Sequence, residues 1–323
     1  MNNLNWAPVG PRNSFCGNTQ LLDATLTQLD QMRSAIDIAL DQYTQLEDGF
    51  PQRLCDAVRH SVLAPGKRLR PVLALLACES ISGTWQPAIP VACAVEFVHV
   101  YSLIHDDLPS MDNDDLRRGR PTCHRQFDEA TAILAGDCLQ MLAIEVICRD
   151  MPMELVATCC QILSRSAGRC MLVGGQIDDL AAEGRFQSER ESARLANPVE
   201  YLKSIHRRKT GALIEASVRL GGVAAGGTDE QLECLSHFGR AIGLAFQIVD
   251  DCLDVESTTE QLGKNTRKDK ALGKLTYPGL LGLEDSRKLA DDLVREAQSA
   301  IAVLGSRGHS LCDLAQFVVD RSK

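Results

Sequence analysis

Aromatic residues and prolines are scarce in this chain of 323 residues, at 4% of the composition and 12 residues. The apolar residues are instead mostly Ala, Leu, Val and Ile, which suit helices packed on helices. No segment alternates convincingly between apolar and polar residues with a period of two, so the sequence favours no β-strand. We therefore predict an all-α fold in a single domain.

The chain also has no excess of positive charge. It contains 34 Lys and Arg residues but 43 Asp and Glu residues, so the net charge is -9. This balance argues against a nucleic-acid partner. No unbroken apolar run approaches the roughly 18 residues that span a bilayer, so we predict no membrane span. The 13 cysteines contain no C-x-x-C pair and no secretion signal is visible, which predicts free thiols in the cytoplasm.

Helical periodicity accounts for most of the chain after an irregular start. We predict a poorly ordered extension over residues 1–20 and one domain over 21–323. Residues 130–148 are apolar on nearly all sides, which predicts a central, enclosed helix. A long helix is predicted over 153–180, and glycines in 221–227 are expected to stop another. Thr228 and Gln231 have capping-box spacing, which predicts a helix from there to Asp254.

The most informative stretch is HVYSLIHDDLPSMDNDDLRR, residues 99–118, where five aspartates precede two arginines. Neighbouring carboxylates raise one another's pKa unless a cation lies among them, so the cluster favours a divalent metal. The guanidinium groups of Arg117 and Arg118 match the oxygen geometry of phosphate. The stretch therefore predicts a metal-bridged phosphate or diphosphate.

A second acidic group, FQIVDDCLD, follows at residues 246–254. On a helix, Asp250 and Asp254 are i and i+4, Asp251 is one step round, and Gln247 lies one turn back, so all four can reach one cavity. A solvated acidic face is the alternative, and the apolar flanking residues argue against it. Ligands that are all oxygen atoms select a hard ion such as magnesium.

With these two groups, several further motifs occur in an order that resembles the trans-isoprenyl diphosphate synthases, most closely the bacterial-type farnesyl diphosphate synthases. They are GKRLRP (66–71), DDLRRG after the first acidic group, GGQ (174–176), KTG (209–211), LGK (262–264), GKLTYP (273–278) and the C-terminal Arg321 to Lys323. Ala64-Pro65 departs from the glycine that the family usually carries before Gly66. The resemblance implies a helical bundle of the isoprenoid synthase type, with a central active-site cavity, that forms homodimers.

The resemblance also implies an activity, the magnesium-dependent condensation of isopentenyl diphosphate with dimethylallyl and geranyl diphosphate to give farnesyl diphosphate. Three magnesium ions, bridged by the allylic diphosphate, would bind six carboxylates, those of Asp106, Asp107, Asp112, Asp250, Asp251 and Asp254. A two-residue insertion and Pro109 predict that Asp112 reaches the metal from the helix end or from a bulge.

The remaining site residues follow from the same resemblance. The allylic diphosphate would be neutralised by Arg117, Lys209 and Lys264, and the allylic cation would be stabilised by Thr210, Gln247 and the Lys209 carbonyl. Isopentenyl diphosphate would be bound by Gly66, Lys67, Arg70, His99 and Arg118. Further candidates for substrate contact are Lys274, Arg321 and Lys323.

The resemblance also implies that product length is set by the residues one helical turn before the first aspartate pair, which would form the floor of the product channel, Tyr101 and Ser102. A tyrosine here resembles the farnesyl-producing members, and a geranylgeranyl diphosphate synthase is the alternative. A second alternative is an HD-type metal phosphohydrolase, suggested by His105-Asp106. That class would require histidine ligands, whereas the second acidic group offers only carboxylates.

Overall fold

The computed structural model describes residues 19–187, 190–262 and 275–320. These residues form fifteen α-helices and one hairpin of two very short strands, so the all-α prediction is confirmed. Contacts divide the chain into two compact units. The first contains Gln20–Leu163 and Ser217–Gly227, and the second contains the described residues of Ser164–Ala216 and Thr228–Lys323. The domain boundary expected near residue 20 stays a prediction.

The helices of the amino-terminal half carry the first acidic group. They are α1 (Thr19–Tyr43), α2 (Gln52–Val62), α3 (Leu69–Ser82), α4 (Ile89–Asp106), α5 (Cys123–Gln126), α6 (Glu129–Asp150) and α7 (Met153–Ala167). Prolines lie in the first turns of α3 and α4, where a missing N–H costs nothing. Helix α3 ends at Gly83, whose φ of 81° allows its N–H to bond the Glu79 carbonyl at 2.8 Å. Helix α4 packs on α3 and α6.

The carboxyl-terminal half carries the second acidic group on its longest helix. Its helices are α8 (Leu172–Ala182), α9 (Glu191–Ala196), α10 (Pro198–His206), a π-helical turn (Arg207–Gly211), α11 (Ala212–Ala224), α12 (Asp229–Leu262), α13 (Tyr277–Leu281), α14 (Leu283–Ala300) and α15 (His309–Asp320). The predicted capping box is confirmed, because the N–H groups of Thr228 and Gln231 bond each other's side chains at 3.0 and 3.3 Å. Helix α12 packs on α14 and α15.

One predicted boundary is wrong and another is confirmed. The helix expected over 153–180 is broken between Ala167 and Leu172, around Gly168. The glycine-rich residues 221–227 stop a helix as predicted, because α11 ends at Ala224 within them. A Cβ atom at Gly221 would lie 2.0 Å from the Ala74 carbonyl oxygen, so this glycine also permits the close approach of α11 to α3.

Helix α6 is not enclosed on all sides, contrary to the expectation from its composition. The side chains of Ile133, Leu134 and Met141 are 45%, 57% and 66% exposed. Its opposite face is buried, with Ala132, Leu139 and other residues in the core. Composition cannot distinguish a helix surrounded by its own chain from one that leaves an apolar face open.

Two helical stretches are long and apolar enough on average to cross a membrane, Gln86–Asp106 and Glu129–Asp150. Core helices of soluble proteins satisfy the same criterion, and 67% and 39% of the two apolar windows are buried inside the protein. These stretches are weak evidence for a membrane span. The prediction of no membrane span, which rests on unbroken apolar runs, stays a prediction.

Candidate active site

The carboxyl end of α4 carries the first acidic group. The helix ends at Asp106, and the loop after it doubles back so that the N–H of Asp112 bonds the Asp106 carbonyl at 2.9 Å. The N–H of Asn113, which has a φ of 55°, bonds the Leu108 carbonyl at 3.1 Å. Asp112 therefore approaches Asp106 from beyond the helix end, as Pro109 and the insertion predict.

Asp107, the residue that caps α4, is paired with Arg117. Its Oδ1 accepts from Nε and Nη2 of Arg117 at 2.8 and 2.6 Å, and its Oδ2 accepts from Nε at 3.0 Å. The Asp107 side chain is buried, and this burial raises its pKa while the Arg117 guanidinium opposes the rise. The predicted metal ligand Asp107 thus holds a predicted substrate ligand, Arg117, in place.

A hairpin that the sequence did not predict separates the two arginines. Its strands are β1 (Leu116–Arg117) and β2 (Arg120–Pro121), and both turn residues, Arg118 and Gly119, have positive φ values of 53° and 75°. Positive φ at both central residues is the signature of a type I′ turn, for which glycine is well suited. The Arg-Gly dipeptide was the available signal. The turn lets Arg118 donate to the Pro65 carbonyl at 2.7 Å, away from Asp107.

Four of the five residues predicted to bind isopentenyl diphosphate come together around this contact. A Cβ atom at Gly66 would lie 2.2 Å from Nη1 of Arg118, so a larger residue here would displace the guanidinium. Arg70 Nη1 lies 3.4 Å from Nε2 of His99. Because arginine only donates, this His99 nitrogen is an acceptor. The fifth residue, Lys67, is exposed beside them.

His99 is held in its neutral form. Burial and the positive charges of Arg70 and Arg118 keep its pKa well below the usual range of histidine. The concentration of cationic groups around this neutral imidazole is unfavourable unless an anion offsets it. This corner of the first unit is therefore suited to bind a multiply charged anion.

Backbone strain is concentrated in the same loops. Among the described residues, the non-glycine residues with positive φ are Arg68, Asn113 and Arg118. All three lie in the predicted substrate and metal loops. Such conformations persist where surrounding contacts enforce them, and they are common at functional sites. A small cavity of about 50 Å³ lies beside these loops, and its lining includes Arg68, Glu96, His99, Asp107, Arg117 and Arg118.

The predicted floor residue Tyr101 is 5% exposed, and its ring lies 5.9 Å from that of His105 in an edge-to-face arrangement. Burial and the nearby Asp106 raise its pKa to about 12, so its hydroxyl stays neutral. His105 Nε2 lies 3.1 Å from the Ile133 carbonyl oxygen on α6. A Cβ atom at Gly136 would come within 2.1 Å of this nitrogen.

His105 therefore lies between Tyr101 and a glycine of α6, which is a supporting role. A lone glycine inside the helical pattern of residues 130–148 is the sequence signal for this close contact. Ser102, the other predicted floor residue, is half-buried and donates from Oγ to the His99 carbonyl at 2.8 Å.

In the second unit, the predicted catalytic residues Lys209 and Thr210 lie on the π-helical turn. Cβ atoms at Gly175 and Gly243 would lie 2.4 Å from the Lys209 nitrogen and 2.8 Å from the Gly211 Cα, respectively. The second glycine of the GGQ motif is thus explained by close backbone contact with this turn. π-Helical turns are rare and frequent at functional sites. Lys209 Nζ also donates to Asp179 Oδ2 at 2.6 Å, and the sequence had given Asp179 no role.

The second acidic group lies within the unbroken helix α12, but its three carboxylates have different surroundings. Asp251 is buried and accepts the N–H of Tyr277 at 3.0 Å. Asp250 and Gln247 are half-buried, and Asp254 is exposed. The other predicted site residues, Lys264, Lys274, Arg321 and Lys323, lie outside the described residues.

In the described parts of the chain, no group of three His, Cys, Asp or Glu side chains is arranged to hold a metal ion. The donors at both acidic groups nevertheless fit magnesium, because all are carboxylate oxygens and Asp112 is drawn back to Asp106. Magnesium takes one or two carboxylates and completes its shell with water and substrate phosphates. A site without a preformed cage of three ligands is consistent with that chemistry.

Comparisons with known proteins found a matching family model and several relatives. The family model described as polyprenyl synthetase matches residues 51–305. A dimethylallyltranstransferase of Fischerella ambigua (strain UTEX 1903) is 42% identical over 94% of this chain and 87% of its own length. Geranylgeranyl pyrophosphate synthase 7, chloroplastic, of Arabidopsis thaliana is 44% identical over 89% of this chain and 81% of its own length.

Among solved structures, an FPP/GFPP synthase from Zymomonas mobilis, crystallised in its apo form, superposes with a TM-score of 0.79 at 35% identity. The match covers 92% of this chain and 99% of that one.

Proposed function

Because the chain belongs to the polyprenyl synthetase family and is a prenyltransferase, we propose that it condenses isopentenyl diphosphate with dimethylallyl and then geranyl diphosphate to give farnesyl diphosphate. The reaction joins the substrates head to tail and releases pyrophosphate. Magnesium is the proposed cofactor, and when bound it would neutralise the diphosphate and the leaving pyrophosphate.

The observation that carries this proposal is the separation of Arg117 from Arg118 by the hairpin. Arg117 contacts Asp107 beside the first acidic group, whereas Arg118 contacts the Pro65 carbonyl beside Gly66. A reaction between two diphosphates requires two anion sites, each with its own cations. The arrangement supports binding of the allylic diphosphate near Arg117 and of isopentenyl diphosphate near Arg118, Arg70 and Lys67.

The first acidic group supports a division of roles among its aspartates. Asp106 and Asp112 are the proposed magnesium ligands, because the doubled-back loop brings them together. Both oxygens of Asp107 accept bonds from Arg117, so its proposed main role is to orient that guanidinium. In the second group, Asp250 and Asp254 are the proposed ligands, with Asp251 also anchoring the N–H of Tyr277.

The allylic cation that forms as pyrophosphate leaves needs nearby lone pairs that do not react with it. Thr210, Gln247 and the Lys209 carbonyl are the proposed donors of those lone pairs, and Lys209 and Lys264 the proposed cations for the pyrophosphate. The π-helical turn supports this assignment, because it departs from the regular hydrogen-bond ladder of an α-helix. The released pyrophosphate is the proposed acceptor of the final proton.

A farnesyl product is favoured by Tyr101, whose buried ring is supported by His105. A bulky ring held in this way would block elongation beyond the fifteen-carbon chain. Geranylgeranyl diphosphate is the second candidate product, because a relative that is 44% identical carries the name of a geranylgeranyl synthase.

The test is incubation of the purified protein with isopentenyl and dimethylallyl diphosphate, with and without magnesium, followed by chain-length analysis. We expect farnesyl diphosphate only when magnesium is present. A twenty-carbon main product would favour the second candidate. Release of inorganic phosphate without condensation would indicate the HD-type phosphohydrolase and overturn the proposal.

A homodimer is the proposed assembly, supported by the apolar face of α6 formed by Ile133, Leu134 and Met141. A second copy of the chain would remove this face from water. Sedimentation of the native protein and of Leu134→Asp tests this. We expect a dimer that the variant converts largely to monomer, and a native monomer at micromolar concentration would refute the assembly.

A cytoplasmic location remains a proposal, supported by the cysteines. All those in the described residues are free thiols, and many, such as Cys55, Cys93 and Cys159, are buried. Free thiols in this number suit a reducing compartment. Fluorescence microscopy of a tagged protein in its source cells tests it, and exclusion of the signal from the cytoplasm would contradict it.

A further inference from the structure

The segment between α2 and α3, together with the first turn of α3, holds three of the proposed isopentenyl diphosphate ligands, Gly66, Lys67 and Arg70. Arg68 lies among them but differs from its neighbours. Lys67 is exposed and Arg70 half-buried, whereas Arg68 is 5% exposed. Its backbone is left-handed, with φ 51° and ψ 36°, a conformation that is costly for any residue with a Cβ atom unless other contacts enforce it.

The Arg68 guanidinium supplies those contacts. Its Nε donates to Asp37 Oδ1 on α1 at 2.8 Å, and its Nη1 donates to Glu96 Oε1 on α4 at 2.8 Å. Its Nη2 donates to the carbonyls of Val62 and Ala64 at 2.8 and 3.1 Å. One side chain thus connects helices α1 and α4 to the end of α2 and to the start of the segment that follows it.

These bonds engage the positive charge and the N–H donors of the Arg68 guanidinium with partners inside the protein. Glu96 is 3% exposed, so its ion pair with Arg68 is buried, while the side chain of Asp37 is about half exposed. A guanidinium that is matched by two carboxylates has little remaining attraction for a diphosphate. Arg68 is therefore poorly suited to bind substrate, although it lies between two residues that are suited to do so.

The bonds of Arg68 instead determine where its neighbours lie. Glu96 is one helical turn before His99 on α4, and His99 lies 3.4 Å from Arg70. Pro65, which accepts from Arg118, directly follows the anchored Ala64. Loss of the anchor would let the Gly66 loop move relative to His99 and Arg118. Displacements of about 1 Å at a binding site can change rates by roughly a hundredfold.

We infer that Arg68 is a positioning residue that, with Glu96 and Asp37, holds residues 64–70 in the conformation that binds isopentenyl diphosphate. The inference rests on the proposed function and adds a role that substrate contact does not explain. It also accounts for the tolerance of Ala64-Pro65 before Gly66, because the shape of the segment is set by the Arg68 bonds rather than by glycine flexibility.

The test is steady-state kinetics of Arg68→Lys and Asp37→Asn, with each substrate varied in turn. Lysine keeps the charge but cannot reach four acceptors in a planar fork. We expect KM for isopentenyl diphosphate to rise roughly tenfold or more in Arg68→Lys and about threefold in Asp37→Asn, which keeps the Glu96 pair. KM for the allylic diphosphate should stay within about twofold.

Arg59→Lys is the matched control. Arg59 also joins α1 to α2, donating to Asp41 Oδ1 at 2.6 Å and to Thr44 Oγ1 at 3.3 Å, but it makes no bond to residues 64–70. Two results would show that Arg68 only supports the structure in general, and either would overturn the inference. One is an equal effect of Arg59→Lys and Arg68→Lys on KM for isopentenyl diphosphate. The other is an equal increase in the KM values of both substrates in Arg68→Lys. An Arg68→Lys protein that fails to fold leaves the half-exposed Asp37→Asn to decide, and an unchanged KM there overturns it too.

The native enzyme is assayed first, so that the two hypotheses are separated. If it does not condense the substrates, the proposed function fails and the inference fails with it. If it does, and the variants keep the native KM for isopentenyl diphosphate, only the inference fails.

Discussion

The two acidic groups have the same residue type but are positioned by different means. The first lies at the end of α4, where Asp112 is brought back by a loop and Asp107 is held by an arginine from a hairpin ten residues away. The second lies within α12, a helix of 34 residues, where the spacing of Asp250 and Asp254 follows from helix geometry alone. A motif within a helix depends on local structure, whereas one at a helix end depends on whatever fixes the loop.

The largest expected effect tests the division of roles at the first group. Asp106→Asn should lower kcat by about a thousandfold or more, because it removes a magnesium ligand, with little change in the free energy of unfolding. Asp107→Asn should lower kcat by only about tenfold, yet cost roughly 2 kcal/mol of stability, because Arg117 loses its buried partner. Condensation rates and urea unfolding measure the two quantities.

Asp115→Asn is the control for this pair, since Asp115 is exposed in the same loop and pairs with Arg125. Its kcat and stability should stay near the native values. Equal losses of kcat in Asp106→Asn and Asp107→Asn, without loss of stability in either, would show that both aspartates contribute equally as metal ligands.

The next effect concerns a feature found only at the first group, the tyrosine one turn earlier on α4. Tyr101→Ala should move the main product from fifteen to twenty or more carbons, because the ring supported by His105 no longer closes the channel. Val98→Ala is the control, as it also truncates a buried side chain of α4. Product chain length by chromatography is the measurement, and an unchanged spectrum in Tyr101→Ala would place the floor elsewhere.

A smaller effect is expected at the second group, where Asp251 and Asp254 differ in burial. Asp251→Ala should lower the free energy of unfolding by about 1–3 kcal/mol, because the buried N–H of Tyr277 loses its acceptor. Asp254→Ala should change it by less than about 0.5 kcal/mol, since Asp254 is exposed. Urea unfolding of both variants is the measurement. Equal stabilities would mean that Asp251 has no anchoring role.

The smallest effect is a pH dependence that belongs to the first unit. His99 has a lowered pKa in the folded protein, so the unfolded chain binds its proton first as the pH falls. Stability from this residue is complete above about pH 6.5 and is lost progressively as the pH falls to about 5.5. Unfolding at both pH values should show a smaller loss in His99→Gln. An identical loss in the variant would assign the dependence to other groups.

Much of the second group and of the helical framework could be predicted from the sequence. Capping at Thr228, the spacing of Asp250 and Asp254, and the prolines that begin α3 and α4 depend on contacts within a few residues. The ordered motifs also pointed to the family to which the chain belongs. The break near Gly168 and the exposed face of α6 were not predictable in this way, because they depend on what packs against each helix.

The tertiary structure alone decided how the first group is arranged and what supports it. Residues far apart in sequence meet there: Gly66 with Arg118, Asp107 with Arg117, and His105 with Gly136. Arg68 shows the distinction most clearly. The sequence by itself determined that Arg68 is a cation within GKRLRP. It does not distinguish a cation that binds phosphate from one that is paired inside the protein. Only burial and the positions of Asp37 and Glu96 decided that this charge is neutralised inside the protein, because the interaction between charges depends on their distance and dielectric surroundings.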